Sequence, residues 1–108
     1  TNNYKLLNKG GLMKITVKAV KFKMDQKLED FVHDKVSKLE RQASGLLGAE
    51  VTLNVDKPES ENNKIADIKI EISGKDLFAS KQADTFEEAV MLAIDALKTQ
   101  ISKFKDKK

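Results

Sequence analysis

Lysine is the residue of this chain whose number and spacing most suggest chemistry, and the C-terminal stretch holds the densest group. Residues 97–108, LKTQISKFKDKK, contain five lysines and a single acidic residue, Asp106. Leu97, Ile101 and Phe104 recur at spacings of four and three, which predicts one face of a helix. Lysines bind phosphate groups without selecting a base, and that affinity falls steeply with salt. A structural role is the alternative, because lysines in a last helical turn also interact favourably with the helix dipole.

A second group of basic residues surrounds the first predicted helix. Lys35, Lys38 and Arg41 are spaced by three, so they project from neighbouring positions on one side of that helix. For any single lysine the structural role remains an equally good explanation, but the contribution of both helices favours phosphate binding by the set. Lys21 and Lys23 come just before the first helix. The candidate binding residues are Lys21, Lys23, Lys35, Lys38, Arg41, Lys98, Lys103 and Lys105.

Charge is segregated along the chain, although the net charge is only +3. Residues 1–23 hold six lysines and no acidic residue, residues 24–97 hold nine basic and sixteen acidic residues, and residues 98–108 hold five lysines and one aspartate. If the two basic ends of the chain meet in the fold, they form one positive face on an otherwise acidic body, and such a face would attract a polyanion. The alternative is that these lysines only solubilise the chain ends.

Residue types that catalysis or metal binding would require are scarce. His33 is the only histidine, and with the neighbouring Asp30 and Asp34 it makes a poor ligand set, so we expect these residues on a solvated helix face. The sequence has no cysteine and no glycine-rich phosphate loop, and neither Ser80 nor Thr16 has a histidine in its segment. We therefore expect no catalytic residue, no metal and no cofactor, and the chain is not expected to be an enzyme.

Polar side chains on the predicted strands favour structural roles. Asp67 and Glu71 share a face with Lys69, and Glu50 lies on the polar face of the preceding strand, a pattern typical of cross-strand charge pairing. Phe78 is expected on the uncovered face of the fourth strand. A sheet that reads single-stranded RNA needs several exposed aromatic residues for base stacking, so one phenylalanine disfavours that mechanism.

Length and composition indicate one domain of moderate size. With 108 residues the chain suits a single hydrophobic core, and no run approaches the ~18 apolar residues of a membrane-spanning helix. No stretch resembles a signal peptide, so we expect a cytoplasmic location, no membrane partner and no small-molecule substrate. Residues 1–12 contain Gly10-Gly11 just before Met13 and are interpreted as an N-terminal extension or a remnant of cloning, which leaves 13–108 as the single predicted domain.

Apolar residues at spacings of three and four predict two helices. The first is expected to follow an N-cap at Asp25 and to run about five turns to Gly45, with Ala43 on its apolar face. The second begins with a capping box formed by Thr85 and Glu88 and continues as a long helix into the lysine-rich end.

Alternation of apolar and polar residues predicts four strands, each with one face suited to burial. Gly74-Lys75 fits a two-residue hairpin turn with glycine first. The order β-α-β-β-β-α suits a right-handed parallel crossover followed by hairpins, with both helices covering the apolar side of the sheet. We therefore predict an α+β fold, a two-layer sandwich with a four-stranded mixed sheet and two helices on one face. The predicted strands are 14–20, 49–56, 65–73 and 76–84.

Three stretches of the sequence resemble a known family when they are taken together. They are KMDQKLEDFVHDKVSKLER (23–41), SGKDLFASKQADTFEEAVMLAIDAL (73–97) and QISKFKDK (100–107). No single motif is diagnostic, but their order is fairly specific. Over residues 13–108 the chain resembles the ribosome hibernation-promoting factor family, whose members are also called ribosome-associated inhibitors or sigma-54 modulation proteins.

The resemblance implies a non-enzymatic protein with the fold predicted above. Its expected partner is the small ribosomal subunit and its rRNA, in the channel used by messenger RNA and the anticodon ends of transfer RNAs. Such a protein blocks translation sterically and keeps idle ribosomes intact, and some members promote pairing of ribosomes. Long members carry a further C-terminal domain for this pairing, so the chain looks like a short form, and a separate ribosome-dimerising factor is an open possibility among its partners.

The resemblance also assigns individual residues. Lys35 and Lys38 match basic family positions on the first helix, and Lys103 and Lys105 match basic positions on the second. Ala96 and Thr99 stand where the family pattern has basic residues, with Lys98 between them, so the rRNA contacts of the second helix are expected to be rearranged or fewer. Two other functions stay open, namely a general RNA-binding module and a protein that associates with itself through the open sheet face or an edge strand.

Overall fold

Four strands and two helices form a two-layer α+β sandwich, as predicted. The computed structural model describes residues 14–41, 45–72 and 74–106. The sheet has the order β1-β2-β3-β4, with β1 parallel to β2 and the other neighbours antiparallel. Both helices pack on one face of the sheet, and a 3-10 helical turn, Lys38–Arg41, extends the first. The elements are β1 (Lys14–Val20), α1 (Gln26–Ser37), β2 (Leu46–Val55), β3 (Lys64–Ile72), β4 (Lys75–Ala83) and α2 (Phe86–Asp106).

The core lies between the sheet and the helices and consists of aliphatic side chains. Alternate residues of the central strands point into it, because successive side chains of a strand lie on opposite faces. On β3 these are Ala66, Ile68, Ile70 and Ile72, all essentially inaccessible to solvent. The helices contribute stripes of apolar residues at helical spacing, and burial of these stripes is the main force that holds the layers together. The helical core residues are Leu28, Val32, Val36, Leu39, Ala89, Val90, Ala93, Ile94, Leu97 and Ile101.

The first helix is shorter than predicted. Asp25 is its N-cap, and its carboxylate accepts a hydrogen bond of 2.9 Å from Leu28 N, as expected. The α-helical part ends at Ser37 after about three turns, not five. The following 3-10 turn rises more steeply per residue and buries Leu39 completely. Ala43 lies outside the described residues, and Gly45 has a φ of 93°, which L-residues other than glycine rarely adopt.

The second strand begins three residues earlier than predicted because a β-bulge interrupts its alternation. Leu46 pairs with Ile72 and Gly48 pairs with Glu71, so Leu47 is an extra residue in the ladder. Its side chain is 52% exposed. The bulge breaks the alternation of apolar and polar residues at the start of β2, although the strand itself is continuous.

The β3–β4 hairpin is shifted by one residue from its predicted register. Ile72 pairs with Lys75, so the connection consists of positions 73 and 74 and glycine takes the second place. Gly74 has a φ of 79°, in the left-handed region that favours glycine. Lys75, predicted to lie in the turn, instead opens β4.

The second helix begins and extends as predicted. Thr85 Oγ1 accepts a hydrogen bond of 3.1 Å from Glu88 N, which satisfies one of the free amides at the helix start. The helix then continues for 21 residues to Asp106. No helix in the described part of the chain is long and apolar enough to span a membrane.

Candidate nucleic-acid interface

The two helices run in the same direction, and this places their basic C-terminal parts at one end of the molecule. The crossover returns α1 from the end of β1 to the start of the parallel strand β2. Along α2, Gln100 Nε2 donates to Phe78 O at 2.8 Å, and Phe104 lies beneath Lys75, whose Nζ is 5.9 Å from the ring centroid. Helix α2 therefore runs antiparallel to β4. We call residues 34–41 and 98–104 together the basic end.

The α1 part of the basic end holds two lysines against one carboxylate. Asp34 Oδ2 lies 3.5 Å from Lys38 Nζ and 3.9 Å from Lys35 Nζ. The ammonium group of Lys35 also lies over the ring of Phe31, 5.5 Å from its centroid. This cation–π contact and the carboxylate hold both lysines on the same side of the helix, as their spacing predicted.

The other cations that the structure describes in the basic end are exposed. Arg41 is exposed in the 3-10 turn, and Lys98 and Lys103 are exposed on α2. Lys105 belongs to α2, but its side chain lies outside the described residues. Residues 34–41 and 98–104 together carry five basic and two acidic residues.

Lys21 and Lys23 lie at the opposite end of the molecule. They follow β1, and between them Phe22 stacks on Phe86 with ring centroids 4.4 Å apart, which fixes this loop beside the first residue of α2. Lys98 is twelve residues further along α2, about 18 Å at 1.5 Å per residue. The eight candidates therefore do not form one cluster. The sequence could not show this, because the separation depends on the direction in which each helix returns.

The end that contains Lys21 and Lys23 is acidic. Its three connections, 21–25, 56–63 and 84–88, together hold seven acidic residues and three lysines, and we call them the acidic end. The buried Asn63 donates from Nδ2 to Lys57 O at 2.7 Å, and Asn62 N donates to Asp84 Oδ1 at 2.8 Å. The first hydrogen bond closes the 56–63 loop on itself, and the second holds this loop against Asp84, two residues before α2. The folded molecule is thus acidic at one end and basic at the other, whereas the sequence showed an acidic middle between two basic chain ends.

A family model described as "Sigma 54 modulation protein / S30EA ribosomal protein" matches residues 15–108. The chain belongs to the sigma 54 modulation protein / S30EA ribosomal protein family. The resemblance inferred from the sequence is confirmed, and membership supports a ribosome-associated role. The matched range includes all eight candidate basic residues.

Solved structures confirm the fold of this S30EA-family chain. A ribosomal subunit interface protein from Coxiella burnetii superposes with a TM-score of 0.77 at 20% identity, and the match covers 87% of this chain and 99% of that one. The N-terminal domain of Protein Y from Thermus thermophilus superposes with a TM-score of 0.73 at 24% identity, covering 85% of this chain and 99% of that one. Among curated proteins, no relative matches the sequence.

The open face of the S30EA-family sheet is polar and its charges are paired across strands, as predicted. Glu50 lies between two lysines, with Oε2 3.6 Å from Lys18 Nζ and Oε1 3.7 Å from Lys69 Nζ. Asp67 accepts a hydrogen bond of 2.5 Å from Ser80 Oγ. These contacts explain the strand carboxylates as structural partners of neighbouring side chains.

Three exposed apolar side chains, Val20, Leu47 and Phe78, interrupt the polar character of this face. Phe78 is 54% exposed, as expected for the uncovered side of β4. Leu47, aimed outward by the bulge, lines a shallow depression of about 500 Å³ together with Lys14, Glu71 and Asp76. The depression is open to solvent and carries both signs of charge, which are not features of a specific small-molecule site.

The prediction that His33 lies on a solvated helix face is wrong. The residue is 7% exposed. Helix α1 packs against both β1 and α2, so its buried stripe is wider than its apolar residues alone indicate. Within residues 14–41, 45–72 and 74–106, no group of three or more histidine, aspartate or glutamate side chains is arranged to hold a metal ion.

Proposed function

We propose that this chain is a ribosome hibernation factor of the cytoplasm. In this proposal residues 13–108 form a single domain that binds the small ribosomal subunit through its rRNA, in the channel for messenger and transfer RNA. Occupation of the channel blocks translation and preserves idle ribosomes. Family membership supports a ribosomal role. The observation that carries the finer proposal is the basic end, where the C-terminal parts of both helices place cations at the same end of the molecule.

Binding would rest on phosphate contacts. Lys35, Lys38 and Arg41 from α1 and its 3-10 turn, with Lys98, Lys103 and Lys105 from α2, would contact the rRNA backbone. Each neutralised phosphate releases counterions, so affinity should fall with salt by a logarithmic slope of roughly 0.7–0.9 per contact. Such a mechanism uses shape and charge and requires no cofactor and no small-molecule substrate.

The acidic end would determine how the protein is oriented on the rRNA. Seven carboxylates there are repelled by the RNA backbone, so the basic end would face the rRNA. Lys21 and Lys23, at the acidic end, would then reach a different stretch of backbone than the helix lysines. We expect their replacement to weaken binding less than replacement of the helix lysines.

A matched pair of triple variants tests the site. Lys38→Glu, Lys98→Glu and Lys103→Glu together reverse three exposed lysines of the basic end. The control variant reverses Lys27, Lys57 and Lys81, which are also exposed, and changes the net charge equally. The measurement is co-sedimentation with purified ribosomes through sucrose gradients at low and high salt, with circular dichroism to verify folding.

We expect the wild type and the control variant to migrate with the small subunit and whole ribosomes, more weakly at high salt. The basic-end variant should stay at the top of the gradient. Equal binding by the two triple variants would refute the site. A wild-type chain that stays at the top even at low salt would refute the hibernation proposal, and equal affinity for unrelated free RNA would favour a general RNA-binding module.

A further inference from the structure

A carboxylate lies in the middle of the proposed phosphate-binding surface. Asp34 Oδ2 is 3.5 Å from Lys38 Nζ and 3.9 Å from Lys35 Nζ, so one oxygen serves two ammonium groups. All three side chains are at least partly exposed. An rRNA phosphate that approached these lysines would meet the same two donors from the solvent side.

We propose that Asp34 is an internal counter-ion that competes with rRNA phosphate for Lys35 and Lys38 and so limits the affinity of the basic end. The inference rests on the function proposed above. With Asp34 in place the three side chains carry a net charge of +1, which formally neutralises one phosphate. Without the carboxylate the two lysines carry +2, and phosphate gains a second full contact.

The geometry favours competition over a purely structural role. Ion pairs between exposed side chains contribute little to stability, because water and salt screen them. Asp34 also lies four residues before Lys38, in the C-terminal half of α1, where the helix dipole disfavours a negative charge. The cation–π contact with Phe31 holds Lys35 in place independently of Asp34. Removal of the carboxylate should therefore leave Lys35 near its present position, while Lys38 stays on the same side of the helix because its backbone position is unchanged.

The chain supplies a matched control in the same helix. Asp30 lies one turn before Asp34, and its carboxylate accepts a hydrogen bond of 2.9 Å from Gln26 Nε2. Asp30→Asn and Asp34→Asn change the net charge equally, so any general gain from a more positive protein appears in both. Asp34→Glu keeps the negative charge and should restore wild-type behaviour.

The test measures affinity for purified small ribosomal subunits at several salt concentrations. The chain has no cysteine, so Ser60→Cys provides a single labelling position. It lies in the exposed loop 56–63 of the acidic end, far from the basic end. Fluorescence anisotropy of the labelled variants gives the dissociation constant, and urea unfolding gives the stability. We expect Asp34→Asn to bind about two- to fivefold more tightly than Asp30→Asn at low salt. Its logarithmic salt slope should be steeper by roughly 0.7–0.9, the value of one additional phosphate contact.

The outcomes separate this inference from the proposed function. If the wild type binds and Asp34→Asn behaves as Asp30→Asn does, the competition is refuted while ribosome binding stands. Weaker binding by Asp34→Asn would also refute it, since the carboxylate would then act only to position the lysines. If neither the wild type nor any variant binds, the proposed function itself fails.

Discussion

At the scale of single residues, Gln100 links helix α2, which carries part of the basic end, to the sheet by a hydrogen bond. It lies on α2 between Lys98 and Lys103. Its side-chain amide donates a hydrogen bond to the carbonyl oxygen of Phe78 on the edge strand β4. We expect Gln100→Leu to lower the free energy of unfolding by about 1 kcal/mol, the usual loss for one hydrogen bond. Urea denaturation measures this change.

The neighbouring Thr99 provides the comparison for Gln100. Its hydroxyl donates to Asp95 O at 3.3 Å, so its hydrogen bond lies within the same helix and does not join the helix to the sheet. Thr99→Val should change stability by less than about 0.5 kcal/mol. If the two substitutions cost the same, the contact with Phe78 does not stabilise the fold.

Residue-level predictions succeeded where local spacing decides the outcome. Asp25 caps α1, and Glu50 pairs with Lys69, because partners three positions apart on a helix or opposite on a sheet are fixed by backbone geometry. The burial of His33 was missed, since it depends on what packs beside α1. The separation of Lys21 from the helix lysines could not be predicted for a similar reason, because sequence distance does not tell which end of the sheet a loop occupies.

At the scale of elements, the conformation of the β3–β4 turn favours glycine at position 74. Gly74 has a φ of 79°, and no atom lies within 4 Å of the position that a Cβ would take. A side chain there would therefore be disfavoured by backbone strain and not by a clash. We expect Gly74→Ala to destabilise the protein by about 1 kcal/mol. Differential scanning calorimetry or urea unfolding measures the loss.

Gly48 is the matched control for Gly74. A Cβ placed there would lie 3.5 Å from Lys14 O, an ordinary contact, and the residue does not have a positive φ. Gly48→Ala should therefore be close to neutral. A loss at Gly48 as large as the loss at Gly74 would show that the turn conformation is not the cause.

The element order and the helix-covered face were predictable because alternation is strong in β1 and β3 and helical spacing is strong in α2, although the sequence of β4 left its register open. The bulge at Leu47 and the 3-10 turn at Lys38–Arg41 were not. Each inserts or compresses residues at an element end, where the apolar period changes. The 3-10 turn lies directly after α1, and the bulge lies in the first residues of β2.

At the scale of the whole molecule, the charge asymmetry should suppress RNA binding in the wrong orientation. Glu59→Lys with Glu61→Lys leaves the acidic end with five acidic residues and five lysines, so its net negative charge is removed, and both positions are exposed. We expect this double variant to bind unrelated duplex RNA several-fold more tightly than the wild type in filter-binding assays at low salt. The gain should vanish at high salt, because screening removes it. Unchanged binding at low salt would show that the acidic end does not shield the protein.

The fold class and the family could be predicted from the sequence, while the arrangement of the binding surface could not. Lys35 and Lys38 share a helix, so their proximity follows from spacing alone. Asp34 and Lys38 are an i,i+4 pair, so their contact also follows from spacing. The placement of the C-terminal parts of α1 and α2 at one end of the molecule depends instead on the topology of the sheet.

The crossover that places the helices also sets the order in which the sheet can assemble. The hairpin joins Ile72 to Lys75, three positions apart, whereas the parallel ladder joins Val17 to Val51 across 34 positions. Closing the longer loop costs more conformational entropy before any contact compensates for it. Strand β1 should therefore be the last strand to join during folding and the first to detach in local opening. Its backbone amides would then exchange with solvent deuterium sooner than those of β3, and Lys21 and Lys23 would lose their fixed position while the β2–β4 meander keeps α2 in place.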